Sequence, residues 1–186
     1  MSRIDLKRIL SLLKIFAKER KSPIEVILLG GLALQHYGMQ DRATFDVDAE
    51  VGATGQSPLQ DLFQFLKAKK IPSDLSQNIS GWSVVAMPPG YRDRAATIYQ
   101  NPRIRVAVLS PLDFIISKLR RFTEEDIDDA LFIVKRFSVL PYEIERAANE
   151  AICHSVKDTA LFLFQSNVRL FLDKIKLSTE FWGHHA

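Results

Sequence analysis

The sequence has 186 residues, a single cysteine and no long apolar run. One cysteine cannot form an internal disulfide, so cross-links do not stabilise this fold. The longest apolar stretch, Val26 to Leu34, is interrupted by two glycines and is far shorter than the roughly 18 residues of a membrane-spanning helix. The start, Met1 to Asp5, lacks the apolar core and cleavage site of a secretory signal. We therefore expect a soluble globular domain, without a membrane partner, in a reducing cytoplasm.

The signatures of several common enzyme classes are also missing. The histidines and the cysteine show no clustered spacing, which argues against a zinc site. The sequence contains no Gly-x-Ser-x-Gly motif, which argues against a hydrolase with a serine nucleophile. It has no Walker-type Gly-Lys-Ser/Thr motif, which argues against a P-loop enzyme.

A strong charge imbalance is absent too, since 25 basic residues face 22 acidic ones. The distribution is uneven, however, because Met1 to Lys21 contains seven basic residues and only two acidic ones. Such a segment is most often the solvated face of an amphipathic helix. It is also the pattern of a surface that binds RNA or another polyanion, through residues such as Lys14, Lys18 and Lys21.

The apolar pattern predicts helices and strands before Ser110 and helices alone after it. The predicted helices cover 4–19, 31–38, 57–70, 111–121, 124–137, 141–153 and 157–177, and the predicted strands cover 24–29, 44–51, 82–87, 95–99 and 103–109. This order favours an α+β (α/β) fold, with a mixed β-sheet, flanking helices and a C-terminal helical bundle. We assign residues 1–110 to the sheet domain, 111–180 to helices packed on it, and 181–186 to a tail.

The segment from Leu29 to Asp48 combines two features that carry chemistry. A strand ending in Gly30 and Gly31 before a helix lets the backbone approach a phosphate. Asp46 and Asp48 alternate along the following strand, which places their carboxylates on one face about 6.5 to 7 Å apart. Two such carboxylates can share Mg²⁺ or Mn²⁺ with a triphosphate, because Mg²⁺ prefers hard oxygen ligands.

In this order, the two features resemble the nucleotidyltransferase superfamily related to DNA polymerase beta. Its hallmark is a strand, a Gly-Gly or Gly-Ser turn, a helix, and a second strand with Asp-x-Asp. The resemblance covers roughly Pro23 to Arg136. It implies a nucleotidyltransferase-like fold, in which Gly30 and Gly31 hold substrate phosphates and Asp46 and Asp48 hold the catalytic metal.

A narrower likeness, to small bacterial AbiEii toxin-like proteins, involves residues around and beyond this segment. Arg42 and Thr44, just before the carboxylates, are expected to bind nucleotide phosphate. The stretch from Gly90 to Ala95 is similar as well. The likeness also implies catalytic roles for a lysine and a later aspartate on C-terminal helices, which correspond here to Lys118 and to Asp126 or Asp129.

Two observations keep other interpretations of these residues open. Thr123 followed by three acidic residues is typical of an ordinary capped helix start, and a lysine such as Lys118 beside an apolar stripe often only covers that stripe. Many nucleotidyltransferases also carry a third carboxylate on a later strand, and the polar face of 103–109 offers only Arg105 and Ala107. Either Asp126 or Asp129 then replaces it, or catalysis is weak or absent.

These features predict a Mg²⁺-dependent nucleotidyltransferase that transfers a nucleoside monophosphate from an NTP to an RNA or protein acceptor. If the AbiEii likeness holds, the acceptor is a tRNA 3′ end or a protein side chain, and the chain is the toxin-like member of a toxin–antitoxin or phage-defence pair. Its partners are then a cognate antitoxin or a second copy of the chain. The alternatives are a catalytically weak or inactive module of the same fold that binds nucleotide, protein or RNA, and an RNA-binding adaptor led by the basic first helix.

Overall fold

The computed structural model describes residues 3–20, 23–53 and 58–183, which form two compact units. The first unit comprises Met1–Ile79 and Arg92–Ser110, and the second comprises Ser80–Tyr91 and Pro111–Ala186. The sequence analysis assigned 80–91 to the sheet domain, but Ser80–Tyr91 groups with the second unit and bonds to residues that lie just after two of its helices. The Ala86 amide donates to Ser155 Oγ at 2.8 Å, and Arg120 donates to the Ser80 carbonyl at 3.1 Å.

The first unit contains a five-stranded sheet in the order β3-β2-β1-β5-β4. Strands β1 and β2 are antiparallel, as are β4 and β5, whereas β5 runs parallel to β1 and β3 runs parallel to β2. This mixed sheet with flanking helices confirms the predicted fold class. The helices and strands up to the end of the sheet are α1 (Leu6–Lys18), β1 (Ile24–Leu28), α2 (Gly30–His36), β2 (Val47–Ala53), α3 (Leu59–Ala68), β3 (Ser73–Ser76), the short α4 (Tyr91–Arg94) where the chain returns to this unit, β4 (Ala96–Asn101) and β5 (Ile104–Val108).

Side chains alternate between an apolar and a polar face of this sheet. On the apolar face, buried residues from three neighbouring strands lie side by side, since Val26 pairs with Val51 and with Val106. Register partners share a face of a sheet, so the intervening residues form the opposite face. That polar face carries Glu25 beside Arg105, Glu50, and Asp48 beside Asp74.

The prediction of a strand over 82–87 is wrong. The chain there forms a 3₁₀ turn, Ile79–Trp82, followed by irregular backbone. Serine hydroxyls take the backbone donors that a neighbouring strand would otherwise use, because the Met87 amide donates to Ser80 Oγ at 2.9 Å and the Ala86 amide to Ser155 Oγ.

The second predicted strand begins three residues later than expected, at Val47. The carbonyl of Thr44 accepts from the Ile4 amide at 2.8 Å, so the residues before Val47 bond to the N-terminal segment and Phe45 is 48% exposed. The helix expected over 57–70 is α3, and its first expected residue, Ser57, lies outside the described residues.

The second unit is a helical bundle, as predicted, formed by α5 (Pro111–Leu119), α6 (Glu124–Phe137), α7 (Pro141–Cys153) and α8 (Ala160–Gly183). Helix α5 contacts the other three, and its Phe114, Ile115 and Ile116 are fully buried. Helix α8 continues to Gly183, so the predicted tail is helical at 181–183, and 184–186 lie outside the described residues. No helix in the described ranges has the length and apolar character to cross a membrane.

A buried hydrogen bond joins the end of α2 to the end of the sheet. The buried Tyr37 hydroxyl donates to the carbonyl of Leu109, which is itself buried. We predict that Tyr37→Phe lowers the free energy of unfolding by about 1–3 kcal/mol, because this carbonyl loses its donor in a buried position. Urea denaturation measures the change.

Tyr99→Phe is the matched control, since the Tyr99 hydroxyl accepts an exposed hydrogen bond from Asn101. This variant should differ from the wild type by no more than about 0.5 kcal/mol. Equal losses in both variants would show that the contact with Leu109 does not stabilise the fold.

Candidate functional site

The two glycines of the predicted motif form a bend against which other side chains lie in close contact. Gly30 has a φ of +51°, in the left-handed region, and a Cβ at this position would lie 2.7 Å from Asp48 Oδ2. A Cβ on Gly31 would lie 2.6 Å from the Cβ of Thr44. Both distances are too short for real atoms. Only glycine therefore permits the Asp48 carboxylate and the Thr44 side chain to lie against this bend.

Asp48 is fixed beside the bend by its own backbone. Its carbonyl accepts from the Leu29 amide at 2.9 Å, one residue before Gly30, and β2 continues along β1 from there. The side chain is half-buried. The strand pair thus brings a carboxylate oxygen to the point where β1 ends and α2 begins.

Asp46 does not lie on the strand, as the alternation predicted, but in the bend just before it. The cause is the hydrogen bond between Thr44 and Ile4, which holds this part of the chain outside the sheet. Asp46 is exposed, and Thr44 Oγ1 donates to its Oδ1 at 3.4 Å. The predicted carboxylates thus meet the bend in different ways: Asp48 directly at Gly30, and Asp46 through Thr44 at Gly31.

The N-terminus of α2 has no side-chain cap, because its N-cap position is Leu29. The first N–H groups of a helix have no partner within the helix, so those at the bend suit a phosphate oxygen. Arg42 is half-buried in the loop that follows α2, and its Nη1 donates to the Ala43 carbonyl at 3.4 Å.

Gln35 organises this loop, and the sequence analysis missed it. Its Nε2 donates to the carbonyls of Ile4 and Arg42, at 3.0 and 3.2 Å, and its Oε1 accepts from the Leu6 amide at 2.9 Å. One amide therefore ties α2 to both segments that border the site. A lone glutamine on a short helix gives no sequence signal of such a role.

The donor set at the bend fits a magnesium ion that arrives with a triphosphate. Asp46 and Asp48 offer hard carboxylate oxygens, and the absence of a Cβ at Gly30 leaves the Asp48 carboxylate beside open backbone. Within the described ranges, no three His, Cys, Asp or Glu side chains lie close enough together to hold a metal. Phosphate oxygens and water would have to complete the coordination.

A third carboxylate lies on a strand that the sequence analysis did not predict. Strand β3 runs parallel to β2 and pairs Asp74 with Asp48, so both side chains lie on the polar face. Neighbouring strands are about 4.8 Å apart, and Asp74 is exposed. The sequence analysis looked for a third strand acid only in residues 103–109, where none lies on the polar face, and so did not consider Asp74.

Comparison with known families agrees with this geometry. Residues 5–145 match the model of a family described as a nucleotidyltransferase of unknown function (DUF6036), which is more than half of the chain. The chain belongs to this family. The match confirms the predicted nucleotidyltransferase superfamily.

Other comparisons add little to this nucleotidyltransferase assignment. No curated protein matches the chain. A similar solved structure is the crystal structure of an antigenic nucleotidyltransferase-like protein from Paracoccidioides brasiliensis, with 17% identity, a TM-score of 0.48, and coverage of 84% of this chain and 96% of that chain.

The next acid along β2, Glu50, is already engaged in contacts within the fold. It is 3% exposed, accepts from the Ile79 amide at 2.8 Å, and forms an ion pair with Arg92. Arg92 also donates to the Gln77 carbonyl at 3.3 Å. Through these bonds, Glu50 holds the segment that follows β3 in place. Arg92 belongs to the stretch from Gly90 to Ala95 that the sequence analysis singled out.

The lysine and aspartates predicted on the C-terminal helices lie in the second unit, where they bond to one another. Lys118 Nζ contacts Asp126 Oδ1 at 3.0 Å and Asp129 Oδ2 at 2.7 Å, and all three side chains are buried. Asp126 also closes a capping box with Thr123. The capped helix start is thus confirmed, Asp128 is exposed, and the catalytic role of the buried three stays a prediction.

The charges around Asp126 determine its protonation. Burial by itself raises the pKa of this carboxyl, but hydrogen bonds from Arg121 and the positive charge of Lys118 outweigh burial and hold the pKa well below its usual range. The Arg121 bonds measure 3.1 and 2.8 Å. Asp126 is therefore ionised at neutral pH, and its hydrogen bonds stabilise the junction of α5 and α6.

We predict that Gly30→Ala lowers the free energy of unfolding by about 1–2 kcal/mol, because alanine must adopt a left-handed conformation. It should also displace the Asp48 carboxylate and weaken Mg²⁺-dependent NTP binding. Urea denaturation and titration calorimetry measure the two effects. Gly81→Ala is the control, since no atom lies within 4 Å of a Cβ at Gly81. A Gly30→Ala protein with normal stability and affinity would contradict the steric argument.

We predict that Asp126→Asn destabilises the protein by about 3–5 kcal/mol at pH 7, because Lys118 stays buried with a weakened set of partners. The exposed Asp128→Asn is the control.

The pH dependence gives a second test. The folded-state pKa of Asp126 is lower than its unfolded value of about 3.9, so its contribution to the free energy of unfolding is present above that pH and is lost as the pH falls toward the folded value. Denaturation at pH 7 and pH 3 should show a smaller difference between wild type and Asp126→Asn at the lower pH; an unchanged difference would contradict this assignment.

Proposed function

We propose that this chain is a metal-dependent nucleotidyltransferase that transfers a nucleoside monophosphate from an NTP to an acceptor hydroxyl. The observation that carries the proposal is the close approach of the Asp48 carboxylate to the Gly30 bend, because a carboxylate suits a divalent metal and the N–H groups of the bend suit a phosphate. Family membership supports the reaction class.

Each group at the bend has a distinct task in this proposal. The N–H groups of Gly30 and Gly31 bind the triphosphate, and Arg42 offsets its negative charge. Asp46 and Asp48 hold the divalent ion, which supplies charge neutralisation at the phosphates when bound. Most of the rate enhancement then comes from positioning and electrostatics.

The third carboxylate acts on the acceptor. Asp74 takes the proton of the acceptor hydroxyl as its oxygen forms a bond to the α-phosphorus. The bond from the α-phosphorus to the bridging oxygen breaks, and pyrophosphate leaves with that electron pair. Asp74 suits this task because it lies beside Asp48 on the polar face and belongs to no three-residue metal cluster in the described part of the chain.

A second candidate function is a binding module of the same fold that takes up nucleotide without transferring it. The observation that favours it is that the described residues hold no preassembled three-ligand metal cluster. Transfer of label from an α-labelled NTP to an acceptor separates the two candidates. The toxin-like role stays a prediction, which growth arrest on expression, lost in Asp48→Asn, would support.

We predict different effects for the two carboxylates on the polar face. Asp48→Asn should abolish Mg²⁺-dependent NTP binding and lower the transfer rate at least about 100-fold. Asp74→Asn should lower kcat about 100-fold or more while the NTP affinity stays at the wild-type value, because a general base acts on the acceptor. Transfer assays and calorimetry give both quantities.

The control is Asp128→Asn, which changes an exposed carboxylate in the second unit and should retain full activity. A wild-type rate in Asp48→Asn would refute the proposed metal site. A loss of NTP affinity in Asp74→Asn equal to that in Asp48→Asn would refute the separate role of Asp74.

A further inference from the structure

An open groove of about 500 Å³ lies at the edge of the sheet, where α3 ends and β3 begins. We call it the α3–β3 groove; it is lined by Phe63, Lys67, Lys70, Ile71, Pro72 and Ser73. Phe63 and Lys67 are one helical turn apart and share a face of α3. Phe63 is 37% exposed, which is high for a phenylalanine beside a buried core. The groove thus combines an accessible aromatic ring with two lysines.

The charged residues that line this groove are both lysines. In the part of the chain that the structure describes, neither Lys67 nor Lys70 forms an ion pair. The nearby Asp61 pairs with Arg20 instead, at 2.6 Å. Two cations beside an apolar floor produce a local positive potential that is complementary to a phosphodiester backbone.

Lys70 occupies a backbone position that favours glycine. Its φ is +56°, its amide donates to the Lys67 carbonyl at 2.9 Å, and the Ile71 amide donates to the Leu66 carbonyl at 3.0 Å. This is the Schellman ending of a helix, in which the left-handed residue is usually glycine. A lysine here strains the backbone. Glycine at this position would stabilise the fold more than lysine does, but only lysine puts a positive charge on the groove.

The groove lies next to the proposed active site on the sheet. The Val47 amide donates to the Pro72 carbonyl at 3.0 Å, so the groove wall bonds to the residue that follows Asp46. Ser73 pairs with Val47 and Asp74 with Asp48, so the groove and the carboxylates lie on opposite faces of β3. Because β3 is the edge strand, an extended ligand can pass around it and reach both faces.

We propose that the α3–β3 groove binds a single-stranded RNA acceptor, upstream of the 3′ nucleotide that receives the nucleoside monophosphate. This inference rests on the proposed function, because it names the acceptor of the same site. Phe63 stacks on a base, and Lys67 and Lys70 bind the adjacent phosphates. Stacking on aromatic rings within a basic groove is the usual mode of binding to single strands.

An RNA strand fits this groove better than the donor nucleotide does. The triphosphate of the donor is assigned to Gly30 and Gly31, beside the carboxylates on the other face of β3, whereas an upstream nucleotide of the acceptor lies a strand's width away. Lys67 and Lys70, which form no ion pair with any described residue, favour a polyanion over an ordinary protein segment.

The experiment measures binding of a fluorescent single-stranded oligoribonucleotide to the full chain by anisotropy, without metal or NTP. The variants are Phe63→Leu, Lys67→Gln and Lys70→Gly. The matched control is Lys69→Gln, which removes the same charge from a lysine that lies over Phe65, at 5.8 Å from its centroid, and not in the groove.

We expect Phe63→Leu to weaken RNA binding at least about fivefold, because a base loses its stacking partner. Lys67→Gln and Lys70→Gly should each weaken binding and reduce the slope of log affinity against log salt by about 0.7, the value for one phosphate contact on a single strand. Lys69→Gln should have a smaller effect on both. Lys70→Gly should also raise Tm by about 2–4 °C, because it relieves the strain of the left-handed backbone, so a loss of affinity in this variant cannot result from unfolding.

The other outcomes overturn the inference. One is that the wild type does not bind RNA, and another is that the groove variants bind RNA with wild-type affinity. A third is that Lys69→Gln loses as much RNA affinity as the groove variants, which would indicate binding by diffuse positive charge. A parallel loss of Mg²⁺-dependent NTP affinity in Phe63→Leu would assign the groove to the donor base instead. The proposed function can fail separately. If the wild type binds RNA through the groove but shows no nucleotidyl transfer, the transferase proposal is refuted and the RNA site stands.

Discussion

The close approach of side chains to the Gly30 and Gly31 bend is the constraint on which the site depends. At both positions a single methyl group would overlap a neighbour, namely the Asp48 carboxylate at one and the Thr44 side chain at the other. The bend therefore does more than turn the chain from β1 into α2. It brings the Asp48 carboxylate, proposed to hold a metal, next to backbone N–H groups proposed to bind phosphate, without an intervening side chain.

The sheet order extends this arrangement to the acceptor. Because β2 lies between β1 and β3, Asp48 has the glycine bend on one side and Asp74 on the other. Glu50, two residues further along β2, is committed to Ile79 and Arg92 and holds the chain after β3 in position. The same strand thus carries a half-buried acid, Asp48, which we propose takes part in the reaction, and a buried acid, Glu50, which holds the structure together.

The sequence allowed the core of this site to be predicted because its signals are local. A buried strand, two glycines, a short helix and alternating aspartates all lie within one continuous segment, and the apolar periodicity of the helices after Ser110 is equally clear. The capped start of α6 follows from Thr123 and its neighbours alone.

The missed features depend on contacts between distant residues. Strand β3 is short, polar and at the sheet edge, so it has no hydrophobic alternation to detect, and Asp74 was missed with it. The strand expected at 82–87 lost its backbone donors to serine hydroxyls, one of them on Ser155. Asp46 fell outside β2 because Ile4, far away in sequence, bonds to Thr44. The mutual pairing of Lys118 with Asp126 and Asp129 likewise needs the packing of α5 on α6.

Titration calorimetry of an NTP into the wild-type chain, with and without Mg²⁺, tests the central claim most directly. Carboxylates beside a glycine bend bind a triphosphate only when a cation offsets their charge. The account predicts uptake of one NTP per chain in the presence of Mg²⁺ and little or none after chelation. Binding of equal strength with the metal removed, or no binding under either condition, would contradict it.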